Sequence, residues 1–260
     1  MSNLSLIRHI ETLARDAWPA EEATGLHGWI MRFNQGVTRR ANSVWPNELS
    51  QTGNVPDMLD QVERFYRAYD QPPRYQICPA AQPVELDALL SRRGYAAVAP
   101  THVQIAELAT LLARTRAVAG APSARVTVHS ALDDRWFATY QQAEEFGDHA
   151  AAMRRAILQR IAPATGYALL VRNHTPVALG LGVAEDGMLG IFSMATVPAY
   201  RRQGAATAVL HALGEWAAGQ GATRAYLQVM HANRPAQALY ARAGFETLYD
   251  YHYRELADGS

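Results

Sequence analysis

Six consecutive residues in the second half of the chain, Arg201-Arg202-Gln203-Gly204-Ala205-Ala206, have the composition of an anion-binding turn. Residues 204, 205 and 206 carry little or no side chain, so a ligand can come close to the main chain. If a helix begins here, its first N–H groups have no intrahelical partner and its end carries a partial positive charge. Phosphate suits such a site, and Arg201 and Arg202 add full charges beside it. Asn233, ahead of Arg234-Pro235, has the type and place of a helix cap.

The turn needs a strand in front and a helix behind, and the flanking residues supply both patterns. Ile191 to Thr196 reads as a buried strand. Val209, Leu210, Leu213, Trp216 and Ala217 recur on one face of a 3.6-residue period. A further strand follows at 225–229, then a helix from Arg234. Two other phosphate-binding loops are excluded. No G-x-x-x-x-G-K-[ST] occurs. Gly180-Leu-Gly182 has Glu185 where a dinucleotide fingerprint has its third glycine, and it falls inside a strand pattern.

The order Arg-x-x-Gly-x-Ala, helix, strand, then Asn233-x-x-Ala236-x-x-Leu239-Tyr240-x-x-x-Gly244-Phe245 resembles the GNAT acetyltransferases over roughly 130 residues, a usual domain size. The hexapeptide alone is a loose pattern; the second signature at the right distance makes the resemblance specific. It implies a mixed α/β fold, a central and mostly antiparallel sheet flanked by helices, and acetyl-CoA as cosubstrate.

Composition agrees with an ordinary globular protein. Of 260 residues, 49% are apolar and 18% charged, which fills a core without excess. The 24 basic and 24 acidic residues cancel, so no global field draws in nucleic acid. Cys78 is the single cysteine, which suits a reducing cytoplasm. No apolar run approaches a membrane span, and the first residues lack a signal-peptide core. No metal-ligand spacing is present among the histidines, and no metal is expected.

In chain order the patterns give a helix at 4–18, a hairpin of strands 25–34 and 37–45 turning at Asn34-Gln35-Gly36, a helix at 57–69, a strand at 74–78, a helix at 84–93 and a strand at 96–107. After a short helical stretch, residues 119–124 read as a linker. The second half adds a strand at 125–129, helices at 132–146 and 148–161 broken at Gly147, and a meander over 167–196. A constant shift of 150 residues lays Leu89-to-Tyr95 on Leu239-to-Phe245, and also brings together Arg74 and Arg224, Ser43 and Ser193, and His102 and His252. The chain therefore reads as two GNAT-like units in tandem: a degenerate copy at 1–118, the linker, and a catalytic copy at 125–260. Leu90 stands where the second copy has Tyr240, and the first copy lacks the glycine turn.

For the second copy the resemblance implies that pyrophosphate sits on Arg201, Arg202, Gln203, Gly204, Ala205, Ala206 and Thr207. The pantetheine arm would lie along a free strand edge at Met194, Ala195 and Thr196, with a backbone N–H there polarising the thioester carbonyl. Asn233 either caps its helix or bonds that arm. Tyr240 taken alone reads as a core aromatic; the surrounding signature makes it the acid that protonates the departing thiolate. Glu144, Glu145 and His149, near the meeting of two helices, either receive a cationic acceptor or form a solvated helix end. Tyr249, Tyr251 and Tyr253 alternate on one face and read as packing rather than as a nucleic-acid platform. The expected activity is direct acetyl transfer to a primary amine of a small molecule or peptide, by a cytoplasmic monomer or homodimer without a membrane or nucleic-acid partner. The competing class is a silent acyl-CoA sensor on the same scaffold.

Overall fold

The computed structural model describes residues 3–119 and 125–256. Its elements are α1 (Asn3–Asp16), β1 (Glu22–Leu26), β2 (Trp29–Phe33), α2 (Val55–Ala68), β3 (Arg74–Ile77), α3 (Leu86–Arg92), β4 (Ala96–Glu107), α4 (Leu108–Ala119), β5 (Arg125–His129), α5 (Asp134–Glu144), α6 (Asp148–Arg160), β6 (Ala164–Arg172), β7 (Thr175–Glu185), β8 (Met188–Thr196), α7 (Ala205–Gly219), β9 (Arg224–Met230), α8 (Arg234–Ala243) and β10 (Glu246–Glu255). Among the described residues no helix is long and apolar enough to cross a membrane.

The chain forms two compact units, Met1–His102 with Tyr249–Ser260, and Val103–Leu248. This division differs from a cut at 119–124, of which residues 120–124 lie outside the described set. The reason is packing. Leu108 and Leu111 of α4 are buried in the core that also holds α7, and Leu108 N donates to Thr223 O at 2.9 Å. Thr115 Oγ1 lies 2.8 Å from His211 Nδ1, and a Cβ at Gly214 of α7 would meet Leu111 at 2.8 Å. At the other end, Tyr249, Tyr251 and Tyr253 are buried, and the Tyr249 hydroxyl donates to Glu11 in the first unit at 2.7 Å.

In the first unit the hairpin is β1–β2, turning at His27-Gly28, where both residues have positive φ. Of the expected hairpin over 25–34 and 37–45, one antiparallel bridge forms, Ile30 with Trp45, each N–H donating to the other's carbonyl at 3.0 and 2.8 Å. Asn42 gathers that stretch into a loop: its Oδ1 accepts from Asn34 N (2.8 Å) and Gly36 N (3.1 Å), and its Nδ2 donates to Val37 O (2.7 Å) and Thr38 O (2.8 Å). A side chain that offers the backbone such partners competes successfully with a strand ladder. Helix α2 starts at Val55 with Pro56 in its first turn, two residues before the expected Asp57.

In the second unit the strand order is β4-β9-β8-β7-β6-β5. Strands β5 to β8 are antiparallel in sequence order; α5 and α6 connect β5 to β6, and two-residue turns with positive φ join β6 to β7 at Asn173-His174 and β7 to β8 at Asp186-Gly187. Strands β8 and β9 are parallel, with α7 as the crossover. Val209, Leu210, Leu213 and Ala217 of α7 are fully buried, each large one stabilising the fold by about 1.5–3 kcal/mol. Gly180 lies within β7, where a Cβ would approach the Met194 sulfur to 2.5 Å and Val209 to 2.9 Å. Its small size lets α7 and Met194 settle on the sheet; it is a packing glycine rather than part of a nucleotide loop.

Candidate active site

The site follows from where β8 and β9 part. Their pairing covers Met188–Ile191 against Arg224–Leu227, yet β8 continues to Thr196 and β9 to Met230. Beyond the pairs, Ser193 takes a left-handed φ of 48° and the register with β7 shifts between Leu179 and Leu181. A bulge of this kind bends a strand away from its neighbour. The result is a cleft of about 660 Å³ whose lining includes Met194, Ala195 and Thr196 from the freed part of β8.

The turn ahead of α7 closes one end of this cleft. Gly204 caps the helix with φ 79°, a left-handed conformation natural to glycine, and no side chain occupies the capping position. The first helical bond runs from Ala208 N to Gly204 O, so helix geometry leaves the N–H groups of Ala205, Ala206 and Thr207 without intrahelical partners. Gly204, Ala205, Ala206 and Thr207 all line the cleft, as do Arg201 and Arg202. Arg201 Nε donates to Thr196 O at 3.1 Å, which ties the turn back to β8.

Gln203 is not among the lining residues. Arg172, at the end of β6, grips it from outside: Nη1 donates to Gln203 Oε1 and Nη2 to Gln203 O, both at 2.9 Å. Gln203 Nε2 in turn donates to Ala199 O at 3.3 Å. Its side chain thus shapes the turn rather than facing the cleft. Nothing in the local sequence around 203 names Arg172, which is brought up by the β6–β7 pairing.

Helix α8 forms the opposite wall, through Pro235, Ala236, Leu239, Tyr240 and Arg242. Asn233 lines the cleft and caps α8, its Oδ1 accepting from Ala236 N at 3.2 Å. Gln237 Nε2 holds the helix to the end of β9 by donating to Met230 O (3.0 Å) and His231 O (2.9 Å). Tyr240 is only 7% exposed, stands edge-on to Phe245 at 5.8 Å, and its hydroxyl has no hydrogen-bond partner among the described residues. Burial pushes its phenol well above the ordinary range.

Of the three residues considered for an acceptor, Glu144 lines the cleft. The packed protein around it raises its carboxyl pKa, while Arg154 and Arg201 pull the other way. Glu145 ends α5 in a left-handed conformation and His149 stands exposed in the first turn of α6; neither lines the cleft. Arg154 is itself held by Tyr140, whose hydroxyl accepts from Nη1 at 2.8 Å, and by the face of Phe146 at 4.9 Å. Tyr200, Pro235 and Arg242 also line the cleft without having been singled out by motif. Tyr200 adjoins the arginine pair, and Pro235, Leu239 and Arg242 follow the helical i, i+4, i+7 spacing; those two signals were present in the sequence.

The arrangement is a parallel strand pair that parts beside a glycine-capped helix. A family model described as "Probable histone acetyltransferase Rv0428c C-terminal" matches residues 4–254. An uncharacterized N-acetyltransferase of Bacillus subtilis (strain 168), YobR, is 31% identical over 250 residues, covering 95% of this chain and 98% of its own. The probable histone acetyltransferase Rv0428c of Mycobacterium tuberculosis is 27% identical over 86% of this chain and 66% of its own length. Among solved structures, a GCN5-related N-acetyltransferase from Kribbella flavida shares the fold with a TM-score of 0.72 at 19% identity, over 96% of this chain and 95% of that one. A tandem GNAT protein from the clavulanic acid biosynthesis pathway shares it with a TM-score of 0.62 at 12% identity, over 84% and 76%. The chain belongs to the GNAT N-acetyltransferase family and is an acyltransferase enzyme.

Proposed function

We propose that this enzyme transfers an acetyl group from acetyl-CoA to a primary amine of a small molecule or peptide, with the donor held in the cleft that the freed end of β8 forms with the turn before α7 and with α8. The observation that carries the reading is the early end of the β8–β9 ladder, which leaves backbone on β8 free to pair with an amide-bearing arm. The N–H groups at 205–207 and the Arg201–Arg202 pair fit a pyrophosphate at the mouth of the same cleft. Bound there, acetyl-CoA supplies an activated acetyl group as a thioester, which a neutral amine attacks as the carbon–sulfur bond breaks.

The protein's own part is electrostatic and acid–base. In this reading a main-chain N–H at Met194 or Ala195 donates to the carbonyl oxygen as charge develops on it. Tyr240 stays protonated at neutral pH because its buried phenol resists ionisation, so its proton is at hand for the departing sulfur. The proton lost by the amine passes to solvent, and Tyr240 is reprotonated from the same source. Glu144, a carboxylate on the cleft wall, offers an incoming ammonium its partner before deprotonation.

The first unit is read as a second, degenerate copy. The starts of α2, β3 and β4 lie 150 residues before those of α7, β9 and β10. In that copy the corresponding edge is already paired: Val44 N donates to Arg74 O (2.8 Å), Gln76 N to Val44 O (3.0 Å) and Gln82 N to Pro46 O (2.7 Å). Trp29 and Trp45 are buried beside it and Leu90 replaces the tyrosine, which supports one donor per chain. The test is release of free thiol from acetyl-CoA by the full chain with a panel of amines, acetylated products being identified by mass. Binding of acetyl-CoA without transfer to any amine would favour the sensor reading, and absence of binding would end both.

A further inference from the structure

All 24 of the lysine-or-arginine positions are arginine; these 260 residues contain no lysine, a residue type ordinarily among the commonest. The cleft follows suit, its cationic lining residues being Arg201, Arg202 and Arg242. The difference is chemical. A lysine ammonium sheds its proton when desolvated or set beside other cations, and the neutral amine is a nucleophile. A guanidinium stays charged and does not attack a thioester. The other strong nucleophile of proteins, the thiol, is withheld too. Cys78 is the single cysteine, is 6% exposed, and its sulfur lies between Asn47 Oδ1 (3.3 Å) and Ala80 N (3.4 Å). Burial pushes that thiol up, away from the thiolate that would react.

The choice matters most at Arg201. Its Nε donates to Thr196 O at 3.1 Å, beside the Met194–Ala195 backbone where the proposed mechanism sets the thioester carbonyl. Its charge also reaches the carboxyl of Glu144 on the cleft wall. We infer, on the reading that the donor is acetyl-CoA, that the enzyme is proof against self-acetylation and that arginine at 201 keeps the cleft from consuming its own donor. A lysine amine in that place would attack the carbonyl carbon. The carbon–nitrogen bond forms as the carbon–sulfur bond breaks, the thiolate takes its proton from Tyr240, and the proton of the amine passes to solvent. The products are an acetylated lysine in the cleft wall and free coenzyme A, with no external acceptor served. A guanidinium supplies the charge and the bond to Thr196 without that side reaction, so the acetyl group is left for amines that enter from outside.

The test compares the full chain with Arg201→Lys, Glu144→Lys and, as control, Arg224→Lys. Each is incubated with acetyl-CoA and no acceptor, then followed by intact mass and peptide mapping, with any acetylation of the α-amine mapped apart from the side chains. Glu144→Lys puts an amine on the cleft wall without touching the turn before α7. Arg224 opens β9, whose seven residues set it about 20 Å from the freed end of that strand. The exposed pair that Arg224 makes with Glu107 contributes little to the fold. The wild type should gain no acetyl group on any side chain. Arg201→Lys and Glu144→Lys should each gain one, at the substituted position and at a rate independent of protein concentration. That rate should exceed the rate of Arg224→Lys by about tenfold or more, because a held amine reacts at high effective molarity. Calorimetry with acetyl-CoA shows which variants keep the donor; if Arg201→Lys loses it, Glu144→Lys carries the comparison. Side-chain acetylation of the wild type, or donor-binding cleft variants that react no faster than Arg224→Lys, overturns the inference and leaves the donor site standing. Fast reaction of Glu144→Lys alone, while Arg201→Lys still binds acetyl-CoA, overturns the part given to Arg201. If the wild type does not bind acetyl-CoA, the donor reading itself fails and this inference fails with it.

Discussion

Replacing Tyr240 by phenylalanine separates stability from catalysis, because the structure gives the hydroxyl nothing to do in the fold. The ring packs edge-on against Phe245 and is almost wholly buried, and a phenylalanine ring in its place would keep that packing. The hydroxyl has no hydrogen-bond partner among the described residues, so its removal leaves no donor or acceptor stranded. The expected change in folding stability is within about 1 kcal/mol, or roughly 2–4 °C in Tm for a chain of this size. Loss of a positioned acid costs about 10²- to 10⁴-fold in rate, or ~3–5 kcal/mol of barrier. Thus kcat should collapse while Tm and the Kd for acetyl-CoA stay near wild type. Thiol release under saturating substrate, thermal unfolding and calorimetry measure the three quantities. The pH profile adds a check. Because burial raises the phenol, the wild-type rate should not fall as pH passes ~10, where an ordinary tyrosine ionises. An unchanged kcat, in conditions where chemistry limits turnover, removes Tyr240 from the mechanism. A Tm lowered by many degrees would show that the hydroxyl has a structural partner after all.

Gly204→Val should abolish acetyl-CoA binding, because a β-branched residue is strained at φ 79° by ~1–2 kcal/mol or more and its methyls crowd the N–H groups at 205–207; normal affinity in a folded variant would place the phosphates elsewhere. Arg172→Ala should weaken acetyl-CoA several-fold with kcat little changed, since both bonds that hold Gln203 are lost; equal KM values for variant and wild type would make the grip irrelevant. Glu144→Gln should raise the acceptor KM and spare that of acetyl-CoA, to be read from initial rates with each substrate varied in turn. Residues 125–260 expressed alone should be insoluble or unfolded, because that fragment lacks α4, whose Leu108 and Leu111 are buried in the core with α7; a soluble, active fragment would contradict this packing. Titration of the full chain should give one acetyl-CoA per chain, and a stoichiometry of two would restore the first unit as a binding copy.

What the sequence determined was local or periodic. The strand–turn–helix from β8 to α7 could be read because small residues, arginines and a 3.6-residue apolar stripe each report their own conformation over short spans. Asn233 as a cap is likewise local, since it answers to a backbone group three residues on. The reading of β4 as Ala96 to Glu107 succeeded for the same reason. The hairpin over 25–45 shrinks to the single Ile30–Trp45 bridge because Asn42 serves backbone groups along the loop between Asn34 and Thr38, and no alternation of apolar residues announces a side chain that does so.

Tertiary structure alone decided the rest. The parting of β8 from β9 depends on a left-handed Ser193 and a register shift against β7, neither of which has a composition signal. Gln203 belongs to the motif by spacing, yet Arg172, distant in sequence, turns it out of the cleft. Glu144, Glu145 and His149 are close in the sequence, but the left-handed end of α5 leaves Glu144 on the cleft wall and carries the other two away from it. The compact units also ignore the small-residue run at 119–124, because buried contacts made by α4 and by the tyrosines of β10 outweigh loop composition. Short-range patterns fix what a segment becomes; which residues share a cleft is settled by strand pairing and burial between segments far apart in the chain.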